Sequence, residues 1–302
     1  MNSRPLVFIG DIHGQHRKLA RMLTLLKARV PEAFYLFIGD LIDNKPSPEL
    51  SQLAVLEQVK ALVDEGRALC LMGNHELNAI GWTLRDPASG AALRPHTPNN
   101  TKQHGAFLAE VGEGSAEHLK WVAWFRTLPL FADFGDVRAV HACWDARAIA
   151  ALRPFLNEDN SLRESHWLRA FDPARAPGAA IETLLKGPEL RLPPGHAFTD
   201  KTGHRRQHIR VRWWREDAAT YRQLAQVPPA AEAAIPDTAL AKAFTFPPVH
   251  KPVVIGHYTL HGEPGRLADN VICVDYNAAK GDFPLVAWCW QAGEGYFIRA
   301  DA

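Results

Sequence analysis

The sequence predicts an α/β fold built on parallel strands, and three observations lead there. Short, continuous apolar runs recur at 6–9, 34–38 and 68–72, as expected of buried strands. Segments with helical period separate them, so strand and helix alternate as they do in parallel sheets. Each run also ends in glycine followed by residues of metal-ligand type: Gly10-Asp11-Ile12-His13, Gly39-Asp40 and Gly73-Asn74-His75-Glu76. In parallel α/β sheets the binding site lies at the carboxyl ends of the strands, which is where all three clusters fall.

The elements follow in order. Residues 15–29 read as a helix, with Leu19, Met22, Leu23 and Leu26 on one face and Lys18, Arg21 and Lys27 off it. Residues 49–65 read likewise, with Leu53, Leu56, Val59 and Val63 in phase and Gly66 as the stop. Three prolines and several short polar residues make 86–102 a loop. Residues 115–128 form a helix with Ser115 as N-cap, Leu119, Val122 and Phe125 on its buried face, and Pro129 beyond its end. A strand at 137–140 delivers His141, and one at 253–255 delivers His257 after Gly256. The pattern weakens across about 145–250. There 225–248 is rich in alanine and proline and reads as a crossing loop with a helical piece. Residues 271–274 and 285–290 are expected to close the fold as an antiparallel pair, turning near Lys280-Gly281-Asp282.

Bulk properties narrow the function. The chain has 302 residues, enough for a full core, and a net charge of +1, which supplies no global field toward nucleic acid or anionic membrane. Its four cysteines, Cys70, Cys143, Cys273 and Cys289, include no C-x-x-C pair, against both a disulfide framework and a zinc ribbon. No apolar run reaches the roughly 20 residues of a membrane span, so a soluble cytoplasmic protein is expected.

Six residues at strand ends carry the chemistry: Asp11, His13, Asp40, Asn74, His141 and His257. Carboxylate, imidazole and amide together suit borderline first-row cations, manganese first, with iron, zinc, cobalt or nickel admitted. Six donors exceed one tetrahedral site and fit two divalent cations that share a carboxylate. Asp11, His13 and Asp40 would serve one, and Asp40, Asn74, His141 and His257 the other. Such a pair clamps an in-line phosphoryl displacement and lowers the pKa of a bridging water. The expected reaction is therefore hydrolysis of a phosphate ester or anhydride by metal-bound hydroxide. His75 is placed to protonate the departing oxygen, with Asp43 holding its imidazole oriented and charged.

Five blocks, Gly10-Asp11-Ile12-His13-Gly14, Gly39-Asp40-Leu41-Ile42-Asp43, Gly73-Asn74-His75-Glu76, Val140-His141-Ala142 and Gly256-His257-Tyr258, resemble in order the motifs of calcineurin-like metallophosphoesterases. The G-D-x-H-G and G-N-H-E forms are most similar to the phosphoprotein phosphatase branch, which also holds symmetrical diadenosine tetraphosphate hydrolases. The resemblance implies a four-layer αββα sandwich in a single domain over 1–302, a dinuclear site on the same six residues, and His75 with Asp43 as the acid pair. The segment at about 145–250 has no counterpart among the motifs and is expected to cover the active site as an insertion.

Two positions depart from the family pattern. Asn44-Lys45 follows Asp43 where the branch has Arg-Gly, leaving Lys45 as the local cation. Thr259 stands where many relatives have a second histidine, and His261 lies two residues late. The basic stretch Lys201 to Arg215, with Trp213 and Trp214, is a source of replacement cations, and Arg205, Arg206 and Lys186 are the candidates for gripping substrate phosphate. The remaining histidines, His104 among them, read as structural or surface residues. The expected substrate is a nucleotide or other small phosphorylated molecule. A phosphoserine/threonine protein is the alternative, and a catalytically silent metal-binding regulator a weaker one. Neither membrane nor nucleic acid is an expected partner, and the oligomeric state is open.

Overall fold

The computed structural model describes residues 4–199, 203–241, 246–247 and 249–301; Lys201 and parts of 225–248 lie outside the described residues. The first half alternates as expected: β1 (Leu6–Ile9), α1 (His16–Arg29), β2 (Phe34–Phe37), α2 (Gln52–Asp64), β3 (Ala68–Cys70) and α3 (Asn74–Thr83). Next come α4 (Pro98–Val111), α5 (Ala116–Phe125), β4 (Phe131–Asp133), β5 (Arg138–Val140), α6 (Ala146–Leu152), α7 (Trp167–Ala170) and α8 (Gly178–Lys186). Short strands follow: β6 (Glu189–Arg191), β7 (Phe198–Thr199), β8 (Arg205–Arg206), β9 (His208–Val211) and β10 (Ala225–Gln226). The chain ends with β11 (Val253–Ile255), β12 (Arg266–Ala268), β13 (Val271–Cys273), β14 (Leu285–Gln291) and β15 (Glu294–Ala300).

Among the described residues, two five-stranded sheets are formed, in the orders β15-β14-β1-β2-β3 and β12-β13-β11-β5-β4. Strands β1, β2 and β3 run parallel, as do β5, β11 and β13, so the carboxyl ends of both sets deliver residues to one edge. The period of two explains the layering. Leu6, Phe8, Leu36, Ile38 and Leu71 meet Ala139, Val254, Ile272 and Val274 between the sheets. The alternate residues Val7, Ile9, Tyr35 and Phe37 turn outward to helices, as do Val253 and Ile255 on the other side. The result is the αββα arrangement.

Several elements differ from the sequence expectation. Helix α4 begins inside the segment read as loop, because Thr97 caps it by accepting the Asn100 N–H and Pro98 occupies its first turn, where no N–H is needed. On α5 the buried face is His118, Trp121, Val122 and Phe125, whereas Leu119 is 52% exposed. The expected closing pair is not formed. β13 stays in the second sheet beside β11 and β12, while β14 crosses to pair antiparallel with β1. β14 finds its other partner in β15 through the tight turn at Ala292-Gly293, where both residues take positive φ, the requirement of a two-residue hairpin.

Lys18 is also reversed, being buried on α1. Its ammonium donates to the carbonyls of Ala278, Gly281 and Phe283 at 2.7–2.9 Å, tying the helix to the crossover between the sheets. Replacing it by methionine keeps the stem but leaves three carbonyls without their donor. Lys18→Met is expected to cost about 1–3 kcal/mol. Urea denaturation will show this as a lower midpoint at unchanged slope.

Candidate functional site

Five of the six expected donors, His13, Asp40, Asn74, His141 and His257, converge at the shared edge of the sheets, and His75 stands with His13 and Asp40 where Asp11 was expected. Backbone geometry sets their aim: His13, Asp40 and His257 take left-handed φ values of 48, 53 and 66°, a conformation that turns each side chain sharply off its strand. The N–H groups of Ile12 and His13 both donate to the Asp40 carbonyl, joining the first two motif loops. The Glu76 carboxylate joins the second loop to the third, accepting the N–H groups of Asp40 and Gly73 on one oxygen and that of Leu41 on the other, at 2.8–3.0 Å.

Among the described residues, two groups bring three donor atoms within 4.8 Å of one another: His13, Asp40 and His75, and Asp40, His141 and His257. Asp40 belongs to both. Asn74 enters the second group through its Oδ1, 3.2 Å from His141 Nε2. Asp11 sits behind, its carboxylate accepting the His257 N–H.

The imidazoles are oriented to offer lone pairs inward. His141 Nδ1 lies 2.7 Å from the Ile38 carbonyl and His13 Nδ1 2.9 Å from that of Ile42; a carbonyl only accepts, so the proton sits on Nδ1 in both. His141 Nε2 then faces Asn74 Oδ1 and, at 3.4 Å, Asp40 Oδ1, two acceptors that a proton or a cation on that side of the ring would satisfy. His257 Nε2 is buried with no hydrogen-bond partner at all. Such a donor set fits cations.

The crowding shows in the electrostatics: burial opposes the charge of His141, but the Asp40 carboxylate outweighs it and raises the imidazole. Burial, with Asp275 and Asp40 nearby, pushes the Asp11 carboxyl well up. Burial would raise Asp40 too, but His141 and His75 hold it well below the usual carboxylate range. Burial and the Arg210 guanidinium drive His257 well down, favouring its neutral, ligating form, and burial with His75 lowers His13. His75 goes the other way. Burial opposes its charge, yet Asp40 and Asp43 outweigh that and carry it up to about 9, the setting of a proton donor. Its Nδ1 lies 2.8 Å from Asp43 Oδ2.

The four expected phosphate-binding residues are placed otherwise. Lys45 is exposed, with its N–H held by the Asn44 side chain. Lys186 is ion-paired with Glu182 on its own helix, and Arg205 and Arg206 form the exposed strand β8. The structure draws none of Lys45, Lys186 and Arg205 into contact with the six donors. Asn44, at the arginine position of the family pattern, donates to the carbonyls of His13 and Ala279 and is a stitch between loops. His261 is exposed and meets Asn277.

Four residues escaped the sequence reading as parts of the site. Glu76 lay inside a motif but had no assigned work. Asp275 accepts the N–H groups of Thr259 and Asn277, bracing the His257 loop. His104 donates to Asp43 from α4; its spacing with Phe107, Leu108 and Val111 on a helical stripe was the available signal. Arg210 lies on β9, its guanidinium 6.0 Å from the Tyr258 ring centre and its Nε buried without a hydrogen-bond partner. Pairing of β9 with β6 and β10 sets Arg210 beside Glu189 and Gln226 on one face and turns Ile209 to a separate small core. Gln226 donates to the Tyr258 carbonyl, which fixes that polar face against the fifth motif.

Comparison with known proteins agrees with the geometry. Over 81 residues the chain is 40% identical to a symmetrical bis(5'-nucleosyl)-tetraphosphatase of Janthinobacterium sp. (strain Marseille), covering 26% of this chain and 27% of the relative. It is 31% identical over 146 residues to the protein of the same name from Aeromonas salmonicida (strain A449), covering 46% of each. The chain thus matches less than half the length of these curated relatives. A solved serine/threonine phosphatase from Saccharomyces cerevisiae is 15% identical with a TM-score of 0.49, over 99% of this chain and 80% of that one, a likeness too distant to bear on function. A family model, calcineurin-like phosphoesterase, matches residues 4–175. More than half of the chain, including the first four motif loops, is covered by that match, and the protein belongs to the calcineurin-like phosphoesterase family.

Proposed function

We propose that this chain is a two-metal phosphohydrolase acting on a phosphate ester or anhydride, with a nucleotide polyphosphate or other small phosphorylated molecule as substrate. The observation that carries the reading is Asp40, whose carboxylate is common to both groups of converging donors. Asp11, which stands behind the His13–Asp40–His75 group, would join His13 and Asp40 on one cation and leave His75 free for proton transfer, and Asp40, Asn74, His141 and His257 would hold the other. The mixture of carboxylate, imidazole and amide suits manganese, and also iron, zinc, cobalt or nickel. Two such ions, when bound, neutralise phosphoryl charge and make water nucleophilic at neutral pH.

The chain's own residues supply the rest. His75 holds a proton at Nε2, which lies 3.8 Å from Asp40 Oδ2 at the edge of the donor cluster, and delivers it to the departing oxygen. Asp43 keeps that imidazole oriented and charged. Arg210 takes the phosphate grip left open at Asn44, since a guanidinium offers a planar fork to phosphate oxygens. Arg191 stands behind it on the same face of the small sheet, beyond Glu189, and a second guanidinium there suits a substrate with more than one phosphate. The described residues of 145–250 would then wall the site, docked where the Trp213 indole N–H donates to the Ala142 carbonyl. The names of the Janthinobacterium and Aeromonas relatives support a dinucleoside polyphosphate.

Manganese-loaded protein incubated with diadenosine tetraphosphate is expected to yield ADP on chromatography, leaving a phosphoserine peptide intact. Peptide dephosphorylation alone would favour the protein-phosphatase reading instead. Asp40→Asn should abolish turnover and reduce bound metal from two ions to at most one by elemental analysis; retention of both would sink the shared-carboxylate assignment. Arg210→Ala should raise KM about tenfold, the loss of roughly one charge-assisted contact, whereas Arg205→Ala and Arg206→Ala should change it less than twofold.

A further inference from the structure

Asp43 has two imidazole partners, one on each oxygen. His75 takes Oδ2 and His104 takes Oδ1, each through Nδ1 at 2.8 Å. Asp43 and His104 are each only 4% exposed, so His104 cannot reach a substrate held over the donor cluster. Its ring is packed between Trp82 and Phe107, with centroids 5.4 and 5.2 Å away, and its Nε2 is buried with no hydrogen-bond partner. A buried nitrogen left without a partner is a cost that purely structural packing would avoid by using phenylalanine. What the histidine provides in return is the bond to Asp43.

That bond fixes a torsion. The terminal torsion of an aspartate is broad and roughly two-fold, so a carboxylate held by one oxygen can pivot. Asp43 is already set at φ 69°, and its N–H is held by the Gln52 side chain. His104 adds the second anchor, so Oδ2 presents a fixed direction to His75 Nδ1. The His75 ring is thereby aimed with Nε2 toward the donor cluster. The two histidines work on Asp43 from separate elements, α3 and α4, 29 positions apart in the sequence.

We propose that His104 is a positioning residue for proton delivery, acting through Asp43 on His75. The inference rests on the reading of His75 as the proton donor, and α4 is the element that carries it to the site. Partners one shell behind reacting groups commonly contribute 10–100-fold to activity. A role in proton delivery has a signature that a packing role lacks: it matters in proportion to how badly the leaving group needs a proton.

The test compares His104→Phe, which keeps the ring and loses the donor, with His104→Asn, which keeps an N–H near the position of Nδ1. Both are assayed on phenyl phosphate, whose leaving group is strongly basic, and on 4-nitrophenyl phosphate, whose leaving group is not. His104→Phe is expected to lower kcat on phenyl phosphate by about 10–100-fold with KM within twofold, and to affect 4-nitrophenyl phosphate several-fold less. His104→Asn should recover most of the loss. On a His75→Ala background, adding His104→Phe should change kcat by less than twofold, because residues acting as one unit are not additive. Equal losses on both substrates, or the full His104→Phe factor persisting without His75, would overturn the proposal. Should His75→Ala itself leave phenyl phosphate turnover intact, the proton-donor reading falls first, and this one with it.

Discussion

The structure depends on holding several strand-end loops closer together than backbones ordinarily approach. A Cβ on Gly73 would lie 2.3 Å from both the Asp40 N and Oδ1, and one on Gly256 would lie 2.1 Å from Asp11 Oδ1, so only glycine fits at either place. Crowding of this kind needs a tie, and Glu76 is that tie. One carboxylate satisfies three N–H groups from two loops, and in doing so sets the left-handed Asp40 whose side chain both donor groups share. Its pKa is raised by burial and by Asp40, against which the backbone bonds work, so the bracket is under electrostatic load from the group it positions. Strain collected at His13, Asp40, Asp43 and His257 is sustained because each is held by bonds from another loop.

Five carboxylates are buried around this edge: Asp11, Asp40, Asp43, Glu76 and Asp275. Their lone pairs are spent differently, and that decides their work. Glu76 and Asp275 give theirs to backbone N–H groups and so build loops. Asp43 gives one oxygen to each of two imidazoles and so orients a ring. Asp40 bonds one N–H, that of His75, and otherwise faces imidazole nitrogens; it keeps the capacity to ligate. Charge alone does not distinguish these residues. The distribution of donors around them does.

The convergence of His13, Asp40, Asn74, His141 and His257 was legible in the sequence because each stands at a strand end, and parallel strands carry their ends to one edge. Nothing long-range had to be known. The crossover was not legible: residues 271–274 and 285–290 look like hairpin partners by spacing, but the segment between them is pinned to α1 by Lys18, a residue whose charge argued for the surface. Leu119 misled for the converse reason. A leucine in helical phase reads as core, yet on α5 the indole of Trp121 and the imidazole of His118 fill the inner face and turn Leu119 out. His104 and Arg210 lie in segments whose local pattern carries no ligand signal, and Asp275, although it follows the apolar run 271–274, was passed over because that run was read only as half of a hairpin. Their partners are 61, 47 and 16 positions away, and only the fold makes them neighbours.

The motif loops and the remaining segments divide the site between them. The loops have little freedom left: Asn44, which follows Asp43 directly, is consumed by bonds to the His13 and Ala279 carbonyls and cannot extend toward a ligand. Strand β9 is the proposed source of a cation for substrate, because its inner residues pack a small core of their own. Ile209 facing that core obliges Arg210 to face the other way, against Tyr258 and beside His257. The alternation that buries one side chain exposes the next. The same logic applies to α4, where burying Phe107, Leu108 and Val111 carries His104 one turn earlier onto the same stripe and into reach of Asp43. In both cases a residue proposed to bear on the chemistry is placed by the packing of its apolar neighbours.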